Sequence, residues 1–371
     1  MSPWKAAQPG DPASAIDTPA LVLDLPAFER NLQRMADALA GGNVRLRPHA
    51  KSHKCPEIAR RQIALGAVGI CCQKVSEAAV FVAAGIRDVL VTNEVMGEAK
   101  IRHLLELAGQ ARIGVLVDHP LQVQALATAA KAQAVSLDVY IEVNVGANRC
   151  GVAPGAAAVP LALQIAASAP LRFAGLQCYH GTAQHLRSPQ ERASAILGAA
   201  DAARRTVKAI EAAGIAVERV TGAGTGSFVH ERNSGVFNEV QAGSYIFMDR
   251  DYGDNQRGEG DVAFEHALFV HTTVMSRPSA DRAVVDAGLK ASSVDSGMPT
   301  VWQRPDLRYA KAADEHGALI TPDAAALALG DRLLLVPGHC DPTVNLYDEL
   351  ICIRGDRVEA LWPIAARGAL L

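Results

Sequence analysis

Between residues 26 and 245 the sequence alternates short β-branched or apolar segments with Ala- and Leu-rich amphipathic segments. The short segments are typical of buried strands, and the amphipathic ones have the periodicity of helices. Eight strands separated by helices over roughly 200 residues are the count of a parallel (β/α)8 TIM-type barrel. An open doubly wound sheet is the alternative, although it usually has fewer strands. The predicted strands span residues 45–49, 69–73, 88–93, 112–118, 137–144, 173–180, 217–222 and 239–243, and the predicted helices include 56–64, 75–84, 97–108 and 189–213.

The pattern changes after residue 245. Residues 249–261 are acidic, Gly-rich and poor in helix signals, which is typical of a linker or a lid loop. Strands with turns and little helix then follow, which predicts a mostly-β domain of about 100 residues. The β-rich segment 20–25 precedes the first helix and is a candidate to pair with this domain. We therefore predict a barrel over residues 26–255 and a β domain formed by residues 1–25 and 256–371. Its strands after the linker are expected at 268–275, 283–290, 332–337, 349–354 and 358–363.

Charge and cysteine usage limit the partners of the chain. The formal net charge is -3, which provides no basic surface for nucleic acid or for an anionic membrane. No window approaches the run of about 18 apolar residues that a membrane span needs, and the first residues lack the apolar core of a secretion signal. The seven cysteines are scattered and form no Cys-x-x-Cys pair, which favours reduced thiols. We therefore expect a cytoplasmic protein without nucleic-acid or membrane partners.

Lys51 is the first candidate for chemistry. It lies where the first barrel strand runs into a basic turn, with His49 and His53 two residues away on either side. An α/β barrel places its active site at such strand ends. A lysine amine in a partly desolvated pocket can form a Schiff base with a carbonyl, such as that of pyridoxal phosphate (PLP). A solvated loop is the alternative for this segment taken alone.

Two small-residue turns follow the last two predicted strands. The first is Thr-Gly-Ala-Gly-Thr-Gly-Ser at 221–227, and the second is Gln-Ala-Gly-Ser-Tyr at 241–245. Their glycines permit close backbone approach, and their N–H and O–H groups can donate to a phosphate. Neither turn has the pattern of a P-loop or of a dinucleotide-binding fingerprint. A bland turn is the alternative for each alone, but the pair matches the phosphate site that barrels build after strands 7 and 8.

Arg149 lies in a Gly-flanked loop after the strand at 137–144, where a guanidinium can donate to an anionic oxygen. An ordinary surface arginine is the alternative.

His339 and Asp341 belong to the densest polar run of the predicted β domain, residues 336–348. On an extended segment, residues two apart face the same way, whereas Cys340 would face the other side. One imidazole and one carboxylate, completed by water, suit Mn²⁺ or Mg²⁺ better than structural zinc. A plain hydrogen bond between the two side chains is the alternative.

The order of these segments resembles the D-threonine aldolase family over nearly the whole chain. D-3-hydroxyaspartate aldolases are relatives of that family, and D-serine dehydratases are more remote ones. The resemblance implies an alanine-racemase-like fold, in which a PLP-binding barrel is followed by a β domain, and a homodimer. The motifs that carry it are Arg-Pro-His-Ala-Lys-Ser-His-Lys at 47–54, Cys-Cys-Gln-Lys-Val-Ser-Glu-Ala at 71–78, Gly-Leu-Gln-Cys-Tyr-His-Gly at 175–181, Thr-Gly-Ala-Gly-Thr-Gly-Ser at 221–227, Asp-Ala-Gly-Leu-Lys at 286–290 and His-Cys-Asp-Pro-Thr at 339–343.

The resemblance also implies roles for individual residues. Lys51 would hold PLP as a Schiff base, and His339 with Asp341 would bind the divalent metal, with Mn²⁺ ahead of Mg²⁺. The related dehydratases carry His-x-Cys and bind zinc, so Asp341 favours carbon–carbon cleavage over dehydration. The remaining residues assigned to the cofactor are Thr225, Gly243 and Ser244 at the phosphate, Gln73, Arg149 and Tyr179 around the ring, and Gln177.

The function predicted on this basis is an aldolase that cleaves D-β-hydroxy-α-amino acids, such as D-threonine, to glycine and an aldehyde. A metal-dependent D-serine or D-3-hydroxyaspartate dehydratase is the alternative within the same class. A non-catalytic PLP-binding protein is the alternative outside it, although such a carrier needs neither a metal pair nor a β domain. Methyl, carboxylate and aryl substituents at Cβ all remain open, as does the physiological direction.

Overall fold

The computed structural model describes residues 4–321 and 327–371. Residues 1–3 of the predicted β domain, and residues 322–326, lie outside this description. In the described part, ten α-helices are interspersed with the strands. They are α1 (Leu25–Leu39), α2 (Pro56–Ala64), α3 (Val75–Ala83), α4 (Glu98–Ala108), α5 (Pro120–Gln133), α6 (Val159–Ala166), α7 (Pro189–Ala212), α8 (Phe228–Asn233), α9 (Arg250–Gly253) and α10 (Cys340–Val344).

The strands of the described residues form two sheets, one of eight strands and one of nine. Strands β2 to β9 make the first sheet, and β1 joins β10 to β17 in the second. The strands are β1 (Ala20–Asp24), β2 (Arg45–Leu46), β3 (Ile70–Cys72), β4 (Asp88–Glu94), β5 (Arg112–Val117), β6 (Leu137–Glu142), β7 (Leu171–Cys178), β8 (Val220–Gly222), β9 (Glu239–Val240), β10 (Leu268–Ser279), β11 (Arg282–Val285), β12 (Thr300–Val301), β13 (Arg308–Ala312), β14 (Gly317–Ile320), β15 (Arg332–Val336), β16 (Glu349–Arg354) and β17 (Arg357–Pro363).

The eight-stranded sheet is the predicted barrel. Its strands pair in parallel in the order β2-β9-β8-β7-β6-β5-β4-β3. The circle is completed beyond the end of β2, where His49 bridges Cys71 in parallel and the Cys71 N–H donates to the Pro48 carbonyl at 2.9 Å. All eight predicted strands are present, with ends shifted by a few residues. The barrel architecture is confirmed.

The barrel core explains why these strands were visible in the sequence. In β6 all six residues are buried, and the other inner strands are similarly rich in buried Val, Ile and Leu. Strands covered on both faces have such continuous apolar runs, and each buried aliphatic side chain contributes about 1.5–3 kcal/mol. Helices α2 and α7 start at Pro56 and Pro189, as predicted, because proline fits the first helical position, where its missing N–H costs nothing.

The nine-stranded sheet takes its central strand from the other end of the chain. Strand β1 pairs antiparallel with β10 and parallel with β16, so the predicted pairing of segment 20–25 is confirmed. The sheet runs β13-β14-β11-β10-β1-β16-β17, with β15 also paired to β10 and β12 paired to β15. In the parts of the chain described, no helix combines the length and apolar character needed to cross a bilayer.

Two predictions about segments after residue 245 were wrong in detail. The strand expected at 283–290 ends at Val285, because the Asp286 carboxylate accepts from the Thr272 hydroxyl at 2.6 Å and from the Thr273 N–H at 2.9 Å, which turns the chain. The segment 249–261, expected to be a loop, begins with the one-turn helix α9. Asp249 starts that helix by accepting a hydrogen bond from the Tyr252 N–H at 2.9 Å.

Candidate active site

One cavity at the carboxyl ends of the barrel strands brings the predicted site residues together. Eight of them lie on turns that follow barrel strands or on the last residues of a strand, and two come from the start of α10 in the β domain. Parallel strands that end at one rim direct their turns to the same place, so the topology accounts for the convergence. The ten residues are Lys51, Gln73, Arg149, Gln177, Tyr179, Thr225, Gly243, Ser244, His339 and Asp341.

Lys51 lies in the middle of this cavity on a single 3-10 turn, Ala50–Ser52. Its Nζ is 3.3 Å from Oδ2 of Asp341. Burial lowers the pKa of the amine, but the Asp341 carboxylate and Tyr179 outweigh burial and hold the pKa above its ordinary value. The lysine therefore connects the barrel to the acidic side chain of the β domain.

A buried ion pair supports the turn that carries Lys51. Glu77 is fully buried and accepts from Lys54 Nζ at 2.8 Å and from the Gln73 N–H at 2.7 Å. Lys54 has a φ of 51°, a left-handed conformation that needs such support in a residue with a side chain. One carboxylate thus fixes both the Lys51 turn and the backbone of Gln73.

The neutral imidazole of His49 forms part of the wall beside Lys51. Its Nε2 is 2.9 Å from the Thr92 hydroxyl and 3.2 Å from the Gln73 amide nitrogen. Burial, followed by the charge of Lys51, holds the pKa of His49 well below its usual range. The ring therefore orients Gln73 without adding a positive charge.

The turns after β8 and β9 provide donors on the opposite wall. Within the described chain, the Thr225 hydroxyl is buried and has no hydrogen-bond partner. A Cβ at Gly224 would lie 2.5 Å from the Gln184 amide oxygen, and one at Gly243 would lie 2.6 Å from the Ser52 hydroxyl. Both glycines are therefore required for the turns to pack this closely. The Thr225 hydroxyl is therefore free to donate to a group bound in the cavity.

The neutral side-chain amides of Gln177 and Gln241 lie between the wall that includes His49 and the wall formed by the turns after β8 and β9. The Gln177 amide nitrogen donates to the Gln241 side-chain oxygen at 3.0 Å, and the Gln241 nitrogen donates to Gln177 at 2.8 Å and to Thr221 at 2.9 Å. Tyr179 follows on the same strand end, and burial raises the pKa of its phenol. These residues form an uncharged surface on which an aromatic ring can lie.

Arg149 reaches the cavity from the loop after β6. Its Nη2 is 3.6 Å from Oε1 of the buried Glu142, while 57% of the side chain is exposed. Burial and the neighbouring Glu94 raise the pKa of Glu142 to about 8. Arg149 is therefore largely exposed and also lines the cavity. The two alternatives from the sequence, a surface arginine and a residue of the site, are thus not exclusive.

His339 and Asp341 face Lys51 from the β domain. The Nε2 of His339 is 3.9 Å from Oδ2 of Asp341, and Nδ1 of His339 is 2.8 Å from Oδ2 of Asp249. Despite burial, Asp249 and Asp341 raise the pKa of His339 to about 9. Despite burial, Lys51 and His339 lower the pKa of Asp341 to about 2. The two side chains form a close pair of opposite charge at the mouth of the barrel.

The predicted extended geometry of this segment was wrong. Asp341 lies in the first turn of α10, and His339 immediately precedes that helix. Pro342 favours a helix start, since proline is accommodated in the first turn. His339 is in an extended conformation just before the helix, and its Nε2 nevertheless comes within 3.9 Å of Oδ2 of Asp341. The Cys340 thiol is also closer than predicted, 3.4 Å from Oδ1 of Asp341.

Sequence reasoning missed several residues around this pair. Tyr252 packs between two histidines, with ring centroids 6.5 Å from His185 and 6.3 Å from His339. The missed Asp251 carboxylate has its Oδ2 2.6 Å from Nδ1 of His185. His185 itself was not missed, since its place just after the predicted strand 173–180 indicates a pocket residue, and it lines the cavity. Tyr252, Asp251 and Asp249 all belong to the acidic segment interpreted as a linker. The only local signal was an aspartate three residues before a tyrosine, which is compatible with a helix start.

The fold and the cavity together define a class of protein. The chain has a closed barrel, a turn that carries a lysine, a wall of hydrogen-bond donors after β8 and β9, and an appended β domain. This is the architecture of alanine racemase-like, PLP-dependent proteins. The family described as "Alanine racemase, N-terminal domain" matches residues 23–251, and "Putative serine dehydratase domain" matches residues 267–353. Both matches agree with the division of the strands between the two sheets.

Particular relatives narrow this class. D-threonine aldolase of Arthrobacter sp is 50% identical over 363 residues, covering 98% of this chain and 96% of the relative. 3-Hydroxy-D-aspartate aldolase of Paracoccus denitrificans (strain Pd 1222) is 46% identical, covering 98% and 95%. The crystal structure of D-threonine aldolase from Filomicrobium marinum superposes with a TM-score of 0.97 at 53% identity, covering 99% of this chain and all of that one. The chain belongs to the D-threonine aldolase family, which confirms the predicted resemblance, the fold and the assignment as an enzyme of this family.

Proposed function

We propose that this protein cleaves D-β-hydroxy-α-amino acids to glycine and an aldehyde, with PLP and a divalent metal as cofactors. The observation that carries the proposal is the meeting of two kinds of group in one cavity. A lysine amine on a barrel turn lies 3.3 Å from a carboxylate that itself lies 3.9 Å from an imidazole nitrogen. Such a site can hold a substrate amine and a substrate hydroxyl at the same time.

The donor set on the barrel side fits PLP. The buried Thr225 hydroxyl without a partner, with Gly243 and Ser244 beside it, suits a phosphate. The PLP ring would be surrounded by Gln73, Gln177, Tyr179 and Arg149. The amine of Lys51 would form the Schiff base with the aldehyde carbon of PLP. These side chains supply hydrogen-bond donors and packing surfaces for the PLP ring. Lys51 Nζ faces Asp341 of the β domain.

The donor set on the other side fits a hard divalent cation. Two ligand atoms about 2.1 Å from a common cation lie at most roughly 4.2 Å apart, and Nε2 of His339 and Oδ2 of Asp341 are within that limit. One nitrogen, one oxygen and water ligands suit Mn²⁺, with Mg²⁺ second. Cys340 is a poor competitor, because a soft thiolate suits Mn²⁺ and Mg²⁺ less well than the carboxylate of Asp341 does.

The chain's own residues then divide the work. When bound, PLP supplies an electron sink at Cα and the cation supplies a Lewis acid at the β-hydroxyl. Lys51 Nζ would hold PLP through a Schiff base, and its free amine would be placed to carry a proton at Cα. The Nδ1 atom of His185 is engaged by Asp251, so its Nε2 is left to hold or accept a proton in the cavity. Tyr252 packs against both histidines and excludes water between them.

The test is to incubate the purified protein with PLP, Mn²⁺ and D-threonine and to identify the products. We expect glycine and acetaldehyde in equal amounts, with no reaction of L-threonine. 2-Oxobutanoate with ammonia would instead establish the dehydratase alternative. Absence of any turnover, with PLP bound, would favour the carrier alternative. Parallel reactions with D-3-hydroxyaspartate and a D-phenylserine determine the preferred group at Cβ.

We also propose the domain bounds, assembly and location predicted from the sequence. The two sheets support a barrel over residues 26–255 and a β domain of residues 1–25 and 256–371. The family resemblance supports a homodimer, which light scattering after size-exclusion chromatography would test. All seven cysteines are unpaired thiols, which supports a cytoplasmic location, since reduced cysteines persist in that compartment.

A further inference from the structure

Asp249 is a buried carboxylate whose contacts are all directed to the proposed metal loop and to α9. None of its side chain is exposed. Oδ2 is 2.8 Å from Nδ1 of His339 and accepts from the Cys340 N–H at 2.9 Å, and Oδ1 accepts from the Tyr252 N–H at 2.9 Å. An ionised carboxylate only accepts hydrogen bonds, so Nδ1 of His339 carries a proton.

This proton determines what the other nitrogen of His339 can do. A cation can bind His339 only after Nε2 has lost its proton. With the other proton kept on Nδ1, the lone pair of the neutral ring is on Nε2. Nε2 is the atom that faces Oδ2 of Asp341 across 3.9 Å. The hydrogen bond that His339 Nδ1 donates to Asp249 therefore selects the tautomer and fixes the ring orientation in which Nε2 and Asp341 can bind one cation.

Asp249 could itself be a ligand, since its carboxylate, His339 and Cys340 bring ligand atoms within 4.8 Å of one another. The hydrogen bonds argue against this. Oδ2 of Asp249 already accepts two N–H groups, and a cation at Nδ1 of His339 would displace one of them. Asp249 also does not line the cavity, whereas His339 and Asp341 do. Its place is behind the histidine, away from the substrate.

The backbone around Asp249 makes this support rigid. The Arg250 N–H donates to the Pro337 carbonyl at 3.0 Å, and the Asp251 N–H donates to the Gly338 carbonyl at 3.2 Å. A Cβ at Gly338 would lie 2.0 Å from the Gly297 carbonyl oxygen, so the loop before His339 is closely packed. The segment that leaves the barrel is thus joined to the loop that carries His339 by these two backbone hydrogen bonds and by the Asp249 carboxylate.

We infer that Asp249 is a positioning residue that orients His339 for cation binding, so that metal affinity depends on a side chain that touches neither metal nor substrate. The inference rests on the proposed function, in which His339 and Asp341 hold the cation. Partners of this kind hold metal-binding histidines in many proteins, and their loss typically weakens metal binding by about 10–100-fold.

The experiment measures Mn²⁺ binding to the PLP-loaded enzyme at constant pH, by calorimetry and by electron paramagnetic resonance of free Mn²⁺. Asp249→Asn keeps the shape but removes the charge and places an NH₂ group against one of the three N–H donors. We expect Mn²⁺ affinity to fall about 10–100-fold, whereas the visible absorbance of lysine-bound PLP stays unchanged. Activity at saturating Mn²⁺ should recover most of the wild-type kcat.

Three further variants make the result specific. Asp286→Asn removes another carboxylate that accepts three hydrogen bonds, none of which involves His339. This variant should leave Mn²⁺ affinity unchanged. His339→Gln should lose the tight Mn²⁺ site. Adding Asp249→Asn to His339→Gln should cause no further loss, because Asp249 acts through the histidine.

The outcomes separate the two proposals. If the wild type has no tight Mn²⁺ site, or His339→Gln keeps it, the proposed metal site fails, and this inference fails with it. If His339→Gln loses the site but Asp249→Asn retains wild-type affinity, only the role of Asp249 is overturned. Should Asp249→Asn not retain PLP, Asp249→Glu decides: it keeps the charge but displaces the carboxylate, and unchanged Mn²⁺ affinity would overturn the inference.

Discussion

The two sides of the cavity are built in different ways. On the cofactor side, residues such as Lys51, Gln73 and Thr225 stand on turns within a few residues of a barrel strand. On the metal side, His339 and Asp341 come from a loop of the other sheet and are held by Asp249 from the end of the barrel. Regular topology places the first group, whereas contacts between distant segments, among them the one from His339 to Asp249, place the second.

The difference extends to what stabilises each side. Behind the cofactor side, Arg47 forms ion pairs with Asp88 and with the buried Glu239, and Lys54 pairs with Glu77. Breaking one partner of a buried pair costs about 3–5 kcal/mol, so these turns are held by large local energies. The metal side depends on hydrogen bonds to one carboxylate, each worth about 1.5–3 kcal/mol. We therefore expect substitutions on the metal side to change Mn²⁺ binding without changing the binding of PLP on the cofactor side.

The largest effect is expected from Lys51→Ala, which removes the covalent attachment on the cofactor side. Turnover should fall on the order of 10⁴-fold or more, as when other enzymes lose a covalent group. The visible absorbance of lysine-bound PLP should disappear, while Mn²⁺ binding by His339 persists. Lys100→Ala, on the exposed face of α4, is the control and should behave as wild type. Full turnover by Lys51→Ala would refute the role of the lysine.

A smaller loss is expected from Asp341→Ala, the matching change on the metal side. The absorbance of bound PLP should remain, whereas metal-stimulated turnover should fall about 10²–10³-fold, the usual loss when one group that stabilises developing charge is removed. Turnover is measured with and without Mn²⁺, beside the surface control Asp306→Ala. Unchanged metal stimulation in Asp341→Ala would mean that the aspartate is not a ligand.

The third prediction concerns pH and the packing behind the cofactor side. Burial raises the pKa of Glu231 to about 7 from an ordinary 4.5, although the Ser227 hydroxyl partly opposes the shift. Between these two pH values the folded state keeps a proton that the unfolded state has lost, so stability falls as pH rises and is constant again above 7. The total is on the order of 3 kcal/mol.

Glu231→Gln cannot titrate and should therefore gain stability relative to wild type as pH rises from 4.5 to 7. Urea unfolding at pH 4.5, 6, 7 and 8 measures the difference, and Glu315→Gln, an exposed carboxylate, is the control. Mn²⁺ affinity should be the same in both proteins. A stability difference that does not change with pH would show that burial does not raise the pKa of Glu231 in the folded protein.

The smallest effect is expected from Thr225→Val, which removes the buried hydroxyl assigned to the phosphate. A hydrogen bond to a charged group is worth about 1.5–3 kcal/mol, so PLP affinity should fall roughly 10- to 150-fold. Reconstitution of the PLP-free protein, followed by absorbance, gives the apparent Kd. Thr128→Val on the exposed face of α5 is the control. Unchanged PLP affinity would place the phosphate away from this turn.

The contrast also explains how much the sequence could predict. Strand and helix patterns are local, so the eight strands, the start of α2 at Pro56 and the lysine turn were all recognisable. The cofactor-side residues followed because strand ends converge in any barrel. Their individual roles came from motif resemblance and remain proposals until the variants above are measured.

What sequence reasoning missed depends on contacts between distant residues. Asp249 and His339 are 90 positions apart, and neither neighbourhood indicates the other. The end of the strand at Val285 is caused by Asp286 bonding back to β10, which a propensity pattern does not contain. Tyr252 was overlooked because an acidic, Gly-rich segment resembles a linker, although packing against two histidines gives it a defined place.

The position of β1 has a consequence for the order in which the protein is made. This strand emerges before the barrel, yet its parallel partner β16 is synthesised roughly 330 residues later, which takes on the order of 20 to 60 s at typical elongation rates. Its antiparallel partner β10 is made earlier than β16, but until β10 emerges the apolar strand Ala20–Asp24 has no sheet to join, and an unpaired apolar strand is prone to aggregation. The barrel can close around its lysine turn while the ribosome is still adding the metal loop.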